Sequence, residues 1–241
     1  MSTTDRIDKL RFINKGIISS YFIAEQYWQM LAPLLQNKDV YSKWNYTDGV
    51  GGVKVIRMAL YTSIIVDLHA CLFDNDKRSG SLNNIISGIK DSRVNKELRK
   101  EFCIPSSPIT VGEHSSEEIK DISEQLQSKE ISQQEELFDR VYTEVISVYE
   151  EFESSDLALR IKKARSKIFA HKEIRTIEGE RSFYGAEGIG IKFNDAKELL
   201  DLSKKVIFDT NLLLTNSSYS MDSFLRHHEV VANEFWRNIK A

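Results

Sequence analysis

Apolar residues recur in steps of three and four at Ile7, Leu10, Ile13, Ile17, Tyr21, Ala24, Trp28 and Leu31. That spacing holds them on one side of a 3.6-residue turn and predicts a long amphipathic helix. Pro33 has no N–H to donate and marks its expected end. Thr47-Asp48-Gly49-Val50-Gly51-Gly52 reads as a turn. A second helix follows, with Val53, Ile56, Leu60, Ile64, Leu68 and Cys71 on one face. The run from Val53 to Phe73 is the most apolar in the chain, but Lys54, Arg57, Asp67 and His69 break it. It is expected to be a core helix and not a membrane span. The loop DNDKRSGS stops it, and shorter helical patterns run through Leu82, Ile85, Ile86 and Ile89, then Val94, Leu98 and Phe102.

Pro105 and Pro108 lie in IPSSPITVGEHSS, so a linker is expected near residues 104–116. Ser115-x-x-Glu118 and Ser132-x-x-Glu135 both have the form of a capping box, which predicts two helix starts. After the second, Phe138, Val141, Val145, Val148 and Phe152 form one stripe. Ser154-Ser155-Asp156 reads as a break and a new N-terminus. The next helix should turn Leu157, Ile161, Ala164 and Ile168 inward. Segment 174–193 holds four of the eleven glycines and is expected to be irregular. Two last helices are patterned on Ala196, Leu199, Ser203, Val206, Thr210 and Leu213, and on Met221, Phe224, His228, Val231, Phe235 and Ile239. The whole reads as all-α, a single domain over residues 1–241.

Composition agrees. Three prolines leave long stretches without a breaker, and 41% hydrophobic residues can build a core. Cys71 and Cys103 are far apart and at no metal-ligand spacing. The N-terminus, MSTTDRIDKL, has no apolar signal core. A reduced, cytoplasmic protein is the simplest expectation, with no membrane and no cofactor.

Charge changes the picture at one place. From Arg160 to Arg175, seven Lys or Arg residues stand against one acid, Glu173, a local balance of +6 in a chain of net −3. A concentrated positive site on an acidic protein suits a polyanion, and RNA is the natural candidate. Within it lie Arg165 and His171, six residues apart. Histidine both takes and gives a proton near pH 7. Arginine offers phosphate a fixed charge and a planar fork of donors. Cleaving RNA without a metal needs a base for the 2′-hydroxyl, an acid for the leaving 5′-oxygen and a cation for the charge on phosphorus. One histidine does not easily serve both ends. On a regular α-helix, six residues also turn the chain by about 240°, so Arg165 and His171 would not stack on one face. Either they flank a groove or the helix loosens before His171, and a symmetric dimer that shares one cleft between two Arg/His pairs would answer both difficulties.

The stretch Arg165-Ser166-Lys167-Ile168-Phe169-Ala170-His171 resembles the Arg-x(4–6)-His motif of the HEPN superfamily. Its surroundings, ARSKIFAHKE, are most similar to the AbiU-like abortive-infection branch, as are LYTSIIVDLHACLFDNDKRSGSLNNII (Leu60 to Ile86) and DAKELLDLSKKV (Asp195 to Val206). The resemblance implies an all-α, HEPN-like helical bundle with additional helices. It also implies dimerisation through the motif helices and metal-independent endoribonuclease activity that yields a cyclic phosphate. By that likeness His171 is the acid/base, Arg165 the phosphate clamp, and Ser166 occupies the polar position after the arginine. Lys162, Lys163, Lys167, Lys172 and Arg175 are the expected RNA-binding cations. A homodimer is expected, with an antitoxin or another defence-system protein as partner.

Plainer readings compete. Segment 116–153 carries twelve acids and three bases, a balance of −9, and antiparallel packing could neutralise the basic helix. The same fold could be a silent module that grips RNA, a nucleotide or a protein. His227-His228 reads as one core-facing and one solvent-facing ring, because adjacent helical residues point about 100° apart. His69 reads as a partly buried structural residue, with helix positions near it as candidates to line the cleft. Asp74-x-Asp76 fails the calcium-loop pattern at Arg78, Ser79 and Ile85. Gly185-x-x-Gly188-x-Gly190 does not open a helix after a strand, so it is no dinucleotide fingerprint, and it reads as a flexible connection or a short hairpin.

Overall fold

The computed structural model describes residues 2–105, 117–170, 174–177, 180–183 and 189–239, with backbone only at 170, 175–177 and 180–183. Helix α1 (Thr3–Gln36) opens on a capping box: Asp5 N–H donates to Ser2 Oγ (3.0 Å) and Ser2 N–H to Asp5 Oδ2 (2.8 Å). It runs past Pro33, where an end was expected. Asn37 N–H donates to the Pro33 carbonyl at 3.1 Å, so the proline sits in the last turn, where its ring and missing N–H disturb the helix just before it ends. The expected stripe on α1 is buried at Ile7, Leu10, Ile17, Tyr21, Ala24, Trp28 and Leu31.

Helices α2 (Lys38–Ser42), α3 (Val50–Phe73), α4 (Leu82–Ile89) and α5 (Ser92–Phe102) follow. The starts of α4 and α5 are capped by Ser81 and Asp91, whose side chains accept from Asn84 N–H and from Arg93 and Val94 N–H. Helix α3 packs along α1 through Tyr61, Ile64, Ile65, Leu68 and Leu72. By length and composition it could cross a membrane, yet that side lies in the core. The expected face of α3 is only half right. Ile56 is exposed, as are Val55 (68%) and Met58 (45%), because nothing among the described residues covers the far side of its first turns.

Helix α6 (Glu117–Ser154) is continuous. The second predicted start, at Ser132, does not exist: no glycine or proline interrupts 117–154, and Glu135 accepts instead from Arg99 at 2.7 Å. The linker and Ser115 of the first capping box lie largely outside the described residues. Phe138, Val141, Val145 and Phe152 are buried as expected. Helix α7 (Asp156–Ala164) starts where predicted, with Ser155 Oγ accepting from Ala158 N–H at 3.2 Å. Leu157, Ile161 and Ala164 face the core, and Ile168 packs at its edge. At Arg165 the helix widens into a π turn, Arg165–Ala170.

Strands β1 (Ile174–Ile177) and β2 (Glu180–Phe183) then pair antiparallel, with Ile174 opposite Phe183 and Ile177 opposite Glu180. This part of the 174–193 segment is thus a two-stranded ladder, which corrects the irregular reading there, while Gly185 and Gly188, where a flexible connection or short hairpin was expected, lie outside the described residues. Further on, Ile189 and Ile191 are both buried, and Gly190 between them takes φ +75°, which a side chain rarely adopts. Helix α8 (Asn194–Thr215) buries every residue of its predicted stripe and ends on a left-handed Asn216.

Helix α9 (Asp222–Asn238) follows its predicted face at Phe224 and His228 and shifts by one position in its second half. Ala232 and Trp236 are buried, while Val231 and Phe235 are 43% and 46% exposed. The indole decides this: Trp236 Nε1 donates to the Met30 carbonyl at 2.8 Å and fills a small core with Leu34, Val40, Trp44 and Val53. His228 lies against Phe224 and 3.3 Å from Gln26, while His227 is exposed, which is the expected division. One hydrophobic core joins residues from Ile7 in α1 to Met221 before α9.

Candidate active site

Arg165 opens the π turn, half-buried. It lines a pocket of about 350 Å³ with His69 and Phe73 from α3, Asp74 and Asn75 from the loop after it, Glu153 from the end of α6 and Lys162 from α7. The site therefore forms where three helices end or change pitch. π turns inside α-helices are frequent at functional positions because the wider turn re-aims side chains. The loosening anticipated ahead of His171 is present. His171 itself, like Lys172, lies outside the described residues.

The cations of the basic segment do not act alike. Lys162 is held by Glu153 (Nζ to Oε1 3.2 Å) and sits 4.9 Å from the centre of the Phe73 ring. Arg160 is paired with Asp195 of α8 at 3.1 Å. Lys163 is exposed, and neither it nor Ser166 lines the pocket. Lys167 lies in the π turn, and Arg175 is in β1 in register with Ser182. Arg165 has no ion pair or hydrogen bond among the described residues. Asp74 and Glu153 share the pocket, but neither is bound to the guanidinium, whose donors are left for an anion.

The acids of α6 are spread over several partners. Glu150 meets Lys90, Glu135 and Asp139 meet Arg99, and Glu144 meets Lys205. Glu153 reaches the basic helix, at Lys162. The wholesale neutralisation considered from sequence is not the arrangement found for these residues.

His69 was read as structural, and the structure places it in the pocket. Burial, then the nearby Arg165 and Lys162, push its pKa down to about 4, against a smaller opposing pull from Asp74. The ring is neutral at pH 7. The signal available in sequence was the polar pair Asp67 and His69 inside the most apolar helix. A linkage follows. The folded pKa is below the ordinary 6.5, so the folded state binds fewer protons between those two values. The stability tied to His69 is complete above pH 6.5 and is lost as pH falls toward about 4. Thermal unfolding from pH 7 to 4 is expected to show a smaller acid loss in His69→Asn than in the parent. An equal loss would place the acid sensitivity elsewhere.

A larger pocket, about 550 Å³, lies between α8 and the start of α9. Its Lys205 is bound to Asp209 and Glu144, and it contains no imidazole. Chemistry and not size selects the Arg165 pocket.

The profile of the HEPN_AbiU2 family, described as AbiU2, matches residues 15–235. The chain belongs to this family. It is a HEPN domain of the AbiU-like abortive-infection branch, and its all-α bundle is the HEPN-like fold, here with the β1–β2 hairpin after the π turn. The matched span runs from within α1 to near the end of α9, so it includes α3, α7 and the π turn that line the Arg165 pocket. No curated protein and no solved structure matches the chain.

Proposed function

We propose that this HEPN domain is a metal-independent endoribonuclease of a bacterial defence or toxin system, acting in the cytoplasm as a homodimer. Arg165 holds the scissile phosphate and the charge that grows on it. His171 moves the proton, and Ser166 contributes a hydrogen bond beside them. Lys162, Lys163, Lys167, Lys172 and Arg175 draw the RNA backbone to the cleft. The observation that carries this reading is the half-buried Arg165, unpaired among the described residues, in a pocket that also contains an imidazole and an ammonium group. The dimer draws support from α3. Its outward face, with Val55, Ile56, Ala59 and Ala70 exposed, leads along the same helix to His69 and Phe73 at the pocket. A second copy seated there would bring two clefts together. An antitoxin or other defence protein would then silence the pair.

The test uses purified protein and RNA in excess chelator, with His171→Ala alongside. Cleavage ending in a cyclic phosphate, lost in the variant, is the expected result. Equal cleavage by the two proteins, or none by the parent, would remove the proposed chemistry. A second reading, a silent interaction module, is favoured by one feature: Ile119, Ile122 and Leu126 lie exposed at a spacing of three and four on the first turns of α6. It wins if RNA binds with a steep salt dependence and is never cut.

A further inference from the structure

We infer that His69 is a second catalytic imidazole of this site: it accepts the 2′-hydroxyl proton of an RNA strand whose scissile phosphate rests on Arg165. The inference rests on the ribonuclease reading above and supplies what that reading lacks within one chain. In-line cleavage needs a proton taken at one end of the phosphorus and given at the other, and one imidazole cannot do both at once.

The geometry is specific. His69 and Arg165 come from α3 and the π turn, and both line the same pocket. The ring is half-buried, edge-on to Phe73 at 5.8 Å between centroids, so its plane is fixed. Neither ring nitrogen is hydrogen-bonded among the described residues, whereas a buried structural histidine ordinarily finds a partner. The charged groups facing it are Asp74 from the loop after α3, Glu153 from α6, Lys162 from α7 and Arg165 from the π turn. Burial first, then the charge of Arg165 and to a lesser degree that of Lys162, keeps the ring neutral, the form that accepts a proton. A phosphate seated on Arg165 and Lys162 offsets those same charges. The ring thus becomes a stronger base when substrate is present.

The step balances. The 2′-oxygen forms the new bond to phosphorus as its proton passes to His69. The bond from phosphorus to the 5′-oxygen breaks, its electron pair leaves with that oxygen, and His171 supplies the proton there. The products are a 2′,3′-cyclic phosphate and a 5′-hydroxyl end, and both imidazoles reset by exchange with water.

The experiment compares the parent, His69→Asn, His69→Gln, His171→Ala and Arg165→Ala on ordinary RNA and on RNA with sulfur in place of the bridging 5′-oxygen. A thiolate leaves without an acid. On ordinary RNA each His69 variant is expected to lose about 10²- to 10⁴-fold in kcat/KM and the acidic limb of its pH profile, with its unfolding temperature within a few degrees of the parent's. On the sulfur substrate His171→Ala recovers and the His69 variants do not. The proposal is overturned if His69→Asn cleaves like the parent at every pH, or recovers on the sulfur substrate as His171→Ala does. If one His69 variant unfolds, the other, with the parent's acidic limb, decides. Inactive Arg165 and His171 variants beside an active His69→Asn would sink this inference alone. Parent-like activity in all the variants would sink the ribonuclease reading with it.

Discussion

Arg165→Ala is expected to lower RNA cleavage by about 10²- to 10³-fold, the range seen when one oriented donor to a developing oxyanion is removed. The pocket explains why the effect should fall on kcat more than on KM. Arg165 is half-buried beside His69 and Phe73, where charge is poorly screened, while exposed Lys163 lies outside the lining. Binding spread over several lysines survives the loss of one cation; stabilisation of charge on phosphorus does not. Arg165→Lys keeps the charge and loses the fork, so it should recover only part of the rate. Lys163→Ala, by contrast, should weaken binding modestly and reduce the salt dependence of affinity by about one phosphate contact. Steady-state kinetics at two salt concentrations separates these outcomes. A variant at Arg165 that raised KM alone would make it one more backbone contact.

The sequence carried the positions whose burial is set within one helix. The stripes of α1 and α8 and the Ser155 start of α7 needed only periodicity and a cap, and all three are where the spacing put them. What it could not carry is decided between elements. Trp236 and Phe235 are equally apolar on paper, and the Met30 carbonyl, offered by another helix, selects the indole. Ser132 and Glu135 have the right spacing for a cap, but Arg99 from α5 claims the glutamate and the helix runs on. Ile56 belongs to the apolar face of α3 by period, yet no neighbouring helix among those described reaches it. The site divides the same way. Arg165 was legible because it stands six residues before His171 in a segment of local balance +6 within a chain of net −3. His69 was not, because its meaning comes from the π turn that closes over the end of α3.

Arg160 sharpens the distinction between charge that binds and charge that folds. In sequence it counts toward the basic patch. In the structure its guanidinium meets Asp195 Oδ1 at 3.1 Å, and the Asp195 side chain is only 5% exposed. The other oxygen, Oδ2, accepts from Lys192 N–H at 2.9 Å, and the Lys192 carbonyl accepts from the Tyr61 hydroxyl at 2.9 Å. This chain of contacts ties α7 to the start of α8 and to α3, and so holds the helix that leads into Arg165. Burial, with Asp195 second, also pushes the Tyr61 phenol well above its ordinary range, which keeps it a donor. Arg160→Ala leaves a buried carboxylate facing no cation. The expected cost is about 3 kcal/mol, the low end for such pairs because the guanidinium itself is one-third exposed. Asp195→Asn should cost less, since the amide oxygen can still accept. Replacing both, Arg160→Met with Asp195→Leu, should restore much of the loss by removing the stranded charge. Urea unfolding reads all four proteins, provided the slope of each transition is unchanged. A loss under about 1 kcal/mol for Arg160→Ala would mean that water, not Asp195, satisfies the pair. Arg160 would then return to the RNA-facing patch, and its substitution should appear in the salt dependence of binding in place of the unfolding midpoint.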